Sequence, residues 1–415
     1  MSLQTLSTHK LLFVTYGGGH AQMILPVAQW FLSHTAFEVQ VLALTTAEPI
    51  FAKAGIPTLG FRDFVRPDED AAALAWGEHL LDGNTSTQVS REESVAYLGL
   101  SYVDLEQRLG VAEALNAYAR FGRQALRPVG VLRRIIDKLS PAVVVATSSP
   151  RAERAAIEAA GLTGIPAVCL VDLFAMDEIA WIGQPAYADR VCVLNQGVAA
   201  RLLAEGRKAV EVCVTGNPAF DELKSAHWVS RGQALRNEKG WDGQQLVLWA
   251  SQPEPATHPS VPEKHGDPAL PVRIRQTLEQ WALAAPGRVL VMRPHPSEPP
   301  MQASGHPQIV NSGRDFELNA LLHAVDGVVT MNSTVGLQAH LAGNKVIQVL
   351  GSLFDDSVPL AKYGMAEACG DLSTLPDLLA GWQSPDKVLE AAPSSSQSSA
   401  TESVARVVLE LMPAY

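Results

Sequence analysis

The sequence predicts an α/β fold of two doubly wound parallel sheets, and three observations carry that expectation. Short β-branched runs alternate with helical stretches along most of the 415 residues, the pattern of parallel strands joined by crossover helices. These runs fall into two series of similar size. Hydrophobic residues make up 47% of the chain and charged ones 18%, enough apolar material for two cores and too much for disorder.

Taken in order, the first series places strands at 10–16, 37–45, 142–147, 167–171, 190–194 and 210–214. Glycine, serine, asparagine or aspartate follows each run, closing a strand and opening a helix. Residues 66–138, rich in Ala, Leu, Glu and Arg, interrupt this series. One crossover needs a single helix, so this stretch reads as a helical insertion. The second series places strands at 245–250, 288–292, 308–311, 327–330 and 345–350. Strand and helix patterns both weaken over 217–244, which sets an amino-terminal domain at 1–220 and a carboxy-terminal domain at 240–390. The remainder, 391–415, reads as a Ser/Pro/Ala linker over 391–400 and an amphipathic helix over 402–412 that packs back onto the body.

Composition then removes whole classes of function. The net charge is −11, a poor balance for gripping nucleic acid or an anionic bilayer over a wide area. A local basic pocket for one phosphorylated small molecule remains compatible with it. Cys169, Cys192, Cys213 and Cys369 form no CxxC pair and the histidines no HExxH, so no metal site is expected. No apolar run approaches the ~18 residues of a membrane span, and 11–16 is too short for a signal peptide. The expectation is a soluble, cytoplasmic protein.

Chemistry concentrates where strands end. Gly17, Gly18 and Gly19 followed by His20 stand between the first strand and a helix. Glycines admit a ligand close to the backbone, and a helix start offers free N–H groups. Histidine is the side chain best suited to proton transfer near working pH, which makes His20 a candidate general base. After the third strand, Ser148 or Ser149 is placed to cap a helix, and Arg151 stands at the same strand mouth. Asp172 and Glu178, beyond the fourth strand, are candidate carboxylates on that rim. In the second series, Ser251 and Gln252 follow the first strand. Arg293-Pro294-His295-Pro296 ends the next clear one, and its prolines fix the backbone that presents Arg293 and His295. Asn332, Ser333 and Thr334 open a helix and suit a pyrophosphate.

With these residues in view, the chain resembles the GT-B glycosyltransferases, two Rossmann-like domains facing a central cleft. The Gly17–His20 loop resembles the glycine loop of the N-acetylglucosaminyltransferase of peptidoglycan synthesis. Ala188-Asp189-Arg190 through Gly216-Asn217-Pro218 resembles both GT-B transferases and UDP-N-acetylglucosamine 2-epimerases. Arg293–Pro296 with Ser333-Thr334 is similar to motifs of bacterial sialyl- and Kdo-type transferases, whose His-Pro histidine meets the nucleotide's phosphate. Gln338 stands where many nucleotide-sugar transferases place a glutamate on the ribose. The epimerases' arginine-proline-glutamate and histidine-arginine-arginine-glutamate runs are absent. The resemblance implies a metal-independent transferase with a CMP- or UDP-sugar as substrate and no separate cofactor. Its acceptor would be a glycan or a lipid-linked glycan, which is compatible with peripheral association with a membrane. A 2-epimerase and a non-catalytic nucleotide-sugar binder on the same fold are the alternatives.

Overall fold

Runs such as Leu11-Leu12-Phe13-Val14 and Val143-Val144-Val145 are fully buried without alternation, the mark of parallel strands covered by helices on both faces. They belong to a computed structural model that describes residues 9–81, 88–259, 261–299, 305–313, 315–382 and 398–413. The chain forms two compact units, Met1–Ala219 with Gln397–Tyr415, and Phe220–Ser396.

The first unit is built on β1 Lys10–Thr15, β2 Glu38–Ala43, β3 Val143–Thr147, β4 Ala167–Leu170, β5 Arg190–Val193 and β6 Val212–Val214. All pair parallel in the order β2-β1-β3-β4-β5-β6, with Phe13 opposite Val41 and Val145. On one face Leu11, Phe13, Val145 and Val168 pack with Met23, Ile24 and Phe31 of the helix Gly18–His34. Each fully buried Leu or Phe there contributes about 1.5–3 kcal/mol. The last helix, Ala400–Glu410, adds Val404, Ala405 and Val408 to the same core. Ser399 and Glu402 close its start as a reciprocal capping box.

The expected insertion is helical: Ala71–Leu80, Arg91–Leu109, Val111–Phe121 and Val129–Leu139. Gly77 and Gly99 let the first two approach so closely that a Cβ on either would strike the other's backbone. Glu93, 1% exposed, accepts the backbone N–H groups of Phe61 and Arg62 at 2.9 and 3.0 Å and so fixes the second helix to the body.

The second unit repeats the plan with β7 Gln245–Ala250, a small hairpin of β8 Thr257–His258 and β9 Val261–His265, β10 Arg288–Arg293, β11 Ile309–Asn311, β12 Gly327–Thr330, β13 Lys345–Val349 and β14 Glu367–Cys369. Its sheet runs β11-β10-β7-β12-β13-β14, all parallel. Trp249, Leu290, Val329 and Ile347 form its core with Ile274, Leu278 and Trp281 of the helix Leu270–Leu283.

Some expectations are corrected. The second strand stops at Ala43, because Thr45 takes a left-handed φ of 51° and opens a 3-10 turn. The sixth strand begins only at Val212, after a 3-10 turn over Ala209–Glu211. Residues 217–244, where strand and helix patterns weaken in the sequence, hold the helix Ala226–Lys239. It was hidden because only Gly232 and Leu235 are buried, too few for a periodic stripe. β14 and the hairpin were not anticipated. The linker expected at 391–400 lies almost wholly outside the described residues, and the helix after it starts at Ala400 rather than at 402.

Each sheet's winding reverses once, between β1 and β3 in the first and between β7 and β12 in the second. Open parallel sheets bind ligands outside the carboxyl ends of the strands at that reversal. The glycine loop and Ser148–Arg151 follow β1 and β3; Ser251-Gln252 and Asn332–Thr334 follow β7 and β12.

Candidate functional site

The first unit concentrates backbone strain and buried charge at the carboxyl ends of its strands. Gly17 has φ 141°, and a Cβ there would run into the Thr46 side chain. Thr45, Leu173 and Ala175 are three of the five non-glycine residues with left-handed φ among those described. All three follow β2 or β4. Such conformations cost on the order of 1–3 kcal/mol each and persist where packing imposes them, often at functional sites.

His20 lies on the first turn of the helix Gly18–His34, half-buried, with Nδ1 sealed from solvent and without a hydrogen-bond partner. Three carboxylates feel its charge. Burial raises the pKa of Glu153, Asp172 and Glu178, and His20 opposes that rise in each. Glu153 is completely buried, and one of its oxygens accepts the Tyr16 N–H at 2.7 Å. The Asp172 N–H donates to the Ser148 hydroxyl at 3.1 Å. This corrects the expected cap: the helix Ala152–Thr163 has no side-chain cap, and Ser148 ties β3 to the Asp172 loop instead. Arg151 lies over the Tyr16 ring, 4.1 Å from its centroid, and donates to the Tyr16 hydroxyl at 3.3 Å. Tyr16 in turn packs against Tyr97 of the insertion, ring centroids 5.5 Å apart. Beside them a cavity of about 180 Å³ is lined by Tyr16, Thr45, Thr46, Ser94, Tyr97 and Arg123. It is smaller than a typical drug-sized site of ~300–1,000 Å³ and holds one ring or one charged group.

In the second unit a carboxylate organises the rim. Glu298 accepts the His295 backbone N–H at 2.6 Å and the Ser251 hydroxyl at 2.9 Å. His295 Nδ1 receives the Ser297 N–H at 3.2 Å and lies 2.7 Å from the Ser297 hydroxyl. Nδ1 is therefore the acceptor, and a neutral ring carries its proton on Nε2. Arg293 directs one guanidinium nitrogen at the Phe316 carbonyl, 3.1 Å away, bracing the neighbouring loop. Gln252 Oε1 accepts the Asn332 N–H at 3.2 Å across the sheet's reversal. Asn332 Nδ2 donates to Ser352 at 2.8 Å, and the Ser352 hydroxyl donates to buried Glu254 at 2.7 Å. Ser333 caps the helix Thr334–Leu341 by accepting the Val335 N–H at 3.2 Å, and Thr334 stands exposed at its start. Gln338 is half-buried one turn further on.

Each unit thus brings its own candidates together, His20, Asp172, Glu178 and Arg151 in the first, Ser251, Gln252, His295 and Asn332–Thr334 in the second. Arg293, Asn332 and Arg151 are already engaged within the protein. Sequence reasoning missed Glu153, Tyr16, Glu298 and Glu254. Only Glu298, three residues after His295, carried a local signal. No cluster of three metal-ligating side chains occurs among the described residues.

Comparison with known proteins supports the fold. Residues 265–358 match the family described as capsule polysaccharide biosynthesis protein, a stretch that includes His295 and Asn332–Thr334. No curated protein matches the chain in sequence. Among solved structures, the UDP-GlcNAc 2-epimerase of Neisseria meningitidis bound to UDP-GlcNAc superposes with a TM-score of 0.55 at 13% identity, over 97% of this chain and 100% of that one. The Staphylococcus aureus MnaA–UDP co-structure gives 0.54 at 14% identity over 98% of each chain. The glycotransferase of kitacinnamycin gives 0.54 at 12% identity, over 98% of this chain and 100% of that one. The chain has the GT-B fold, shared by nucleotide-sugar epimerases and glycosyltransferases, with two Rossmann-like units.

Proposed function

We propose that the chain is a glycosyltransferase that moves a sugar from a nucleotide-activated donor, CMP- or UDP-linked, to a cell-envelope or capsule-type glycan. The observation that carries this reading is His295, fixed through Glu298 and Ser297 with Nε2–H left to donate at the carboxyl rim of the second sheet. Ser251, Thr334 and the N-terminus of the helix Thr334–Leu341 flank the same reversal and suit the donor's phosphates. That the capsule-polysaccharide match covers His295 and Thr334 supports a glycan product.

The first unit would supply acceptor and base. The acceptor's end group would occupy the cavity beside Tyr16 and Arg123. Its hydroxyl oxygen attacks the sugar's anomeric carbon while His20 takes the hydroxyl proton. The bond from that carbon to the phosphate oxygen breaks, and the nucleotide leaves with the electron pair. His295 and the helix N-terminus stabilise the charge that builds on it. A thermal-shift panel of UDP, CMP, CDP and GDP tests the donor side. Stabilisation by one nucleotide, lost in His295→Ala, is the expected result; no stabilisation by any of them overturns the reading.

A second reading is a UDP-sugar 2-epimerase, favoured by the three carboxylates around His20, since epimerisation moves a proton at the sugar ring. Incubation with UDP-GlcNAc in deuterated water, without acceptor, separates the two. Deuterium at C2 of the recovered sugar selects the epimerase.

A further inference from the structure

The insertion carries one helix that the core does not need. In Val111–Phe121 only Ala114 is buried, although the helix is strongly amphipathic. Val111 is 62% exposed, Leu115 47%, Phe121 51%, and Leu109 just before it 41%. These are four of the thirteen large hydrophobic side chains exposed among the described residues, gathered within thirteen positions. Val111 and Leu115 stand one turn apart on one face, while Tyr118, a turn further on, packs edge-on against Tyr102 of the neighbouring helix, ring centroids 5.6 Å apart. The charge around them reverses that of the chain. Residues 108–123 hold Arg108, Arg120 and Arg123 against a single acid, Glu113, in a protein of net charge −11. The Arg120 guanidinium lies 4.9 Å from the Phe121 ring centroid, so its charge sits directly beside apolar surface.

We propose that Val111–Phe121 is a docking helix for an anionic bilayer surface. Apolar side chains that enter the interface, with arginines at its edge, are what such a surface binds. Charge complementarity selects this occupant: the arginines beside the helix attract anionic lipid, in a chain whose net charge of −11 otherwise opposes it. The helix also ends two residues before Arg123, which lines the cavity beside Tyr16. A bilayer seated on the helix brings its headgroups to the side of the first unit that holds the cavity. This docking surface is independent of the reaction the site performs.

The test is co-sedimentation of the full chain with vesicles of equal parts phosphatidylcholine and phosphatidylglycerol, and with phosphatidylcholine alone. Binding to the mixed vesicles, release by high salt and little binding to the neutral ones are expected. Replacing Val111, Leu115 and Phe121 by serine removes that binding by about tenfold or more, with circular dichroism and melting temperature unchanged because these side chains are exposed. Arg108→Glu with Arg120→Glu has the same effect through charge. Failure of the wild-type chain to bind mixed vesicles overturns the proposal, as does equal binding by the serine variant. So does a wild-type dimer in ultracentrifugation that the serine variant turns into a monomer, since a second copy then covers the face.

Discussion

Glu298 holds His295 by its backbone N–H at 2.6 Å while its other oxygen takes the Ser251 hydroxyl at 2.9 Å. One carboxylate thus aligns the ends of β10 and β7, adjacent strands on one side of the second sheet's reversal. Glu298→Gln keeps the volume but removes the charge and one acceptor. Nucleotide affinity should fall by about 1–2 kcal/mol, the range for losing a hydrogen bond to a charged group. Calorimetry on a variant whose melting temperature matches the wild type would check it; unchanged affinity would assign Glu298 to the loop alone.

The His295 proton assignment makes a sharper prediction. Glutamine places its amide nitrogen near the position of Nε2, whereas asparagine reaches only as far as Nδ1. His295→Ala should weaken nucleotide binding by about 1–3 kcal/mol. His295→Gln should recover part of that loss and His295→Asn none of it. Equal affinities for all three variants, measured by titration calorimetry, would exclude Nε2 as the donor.

Much of this architecture is legible in the sequence because parallel strands buried on both faces read as continuous apolar runs. Gln245–Ala250 and Gly327–Thr330 match the expected limits to the residue. The helix Ala226–Lys239 was not legible, since its burial rests on Gly232 facing His323 rather than on a stripe. The candidate sites were legible as positions and not as partnerships. Glu153 looks like an ordinary acid in a helix's first turn, yet it is completely buried under the Tyr16 N–H. Nothing local announces a contact made 137 residues away. Ser148 looked like a cap for the same reason, and only the neighbouring strand end shows that it serves Asp172.

Glu153 gives a pH-dependent prediction. Burial raises its pKa above the unfolded value of ~4.3. Its contribution to stability is therefore complete below that unfolded value and is lost as pH rises through the folded one. Glu153→Gln keeps an acceptor for the Tyr16 N–H and cannot ionise. It should melt higher than the wild type at pH 8, with the advantage shrinking as pH falls toward 4. A melting-temperature difference that is flat with pH, or that grows on acidification, would contradict the burial argument.

The last prediction concerns which group takes the acceptor's proton. His20 stands on a helix start beside two glycines of positive φ, with Nδ1 buried, and its charge acts on Glu153, Asp172 and Glu178 together. If His20 is the base, His20→Ala should lower turnover by about 100-fold or more at every pH, with donor affinity nearly intact. Asp172→Asn should then cost less, because Asp172 would act only through His20. The opposite assignment leaves a different signature. Burial raises the Asp172 pKa and His20 holds it down. With Asp172 as the base, removing His20 lets that pKa rise further, so the acidic limb of the turnover profile moves to higher pH while the plateau survives. Asp172→Asn would then abolish turnover. The two variants measured across the pH range separate these cases, and a surviving plateau in His20→Ala transfers the role to Asp172.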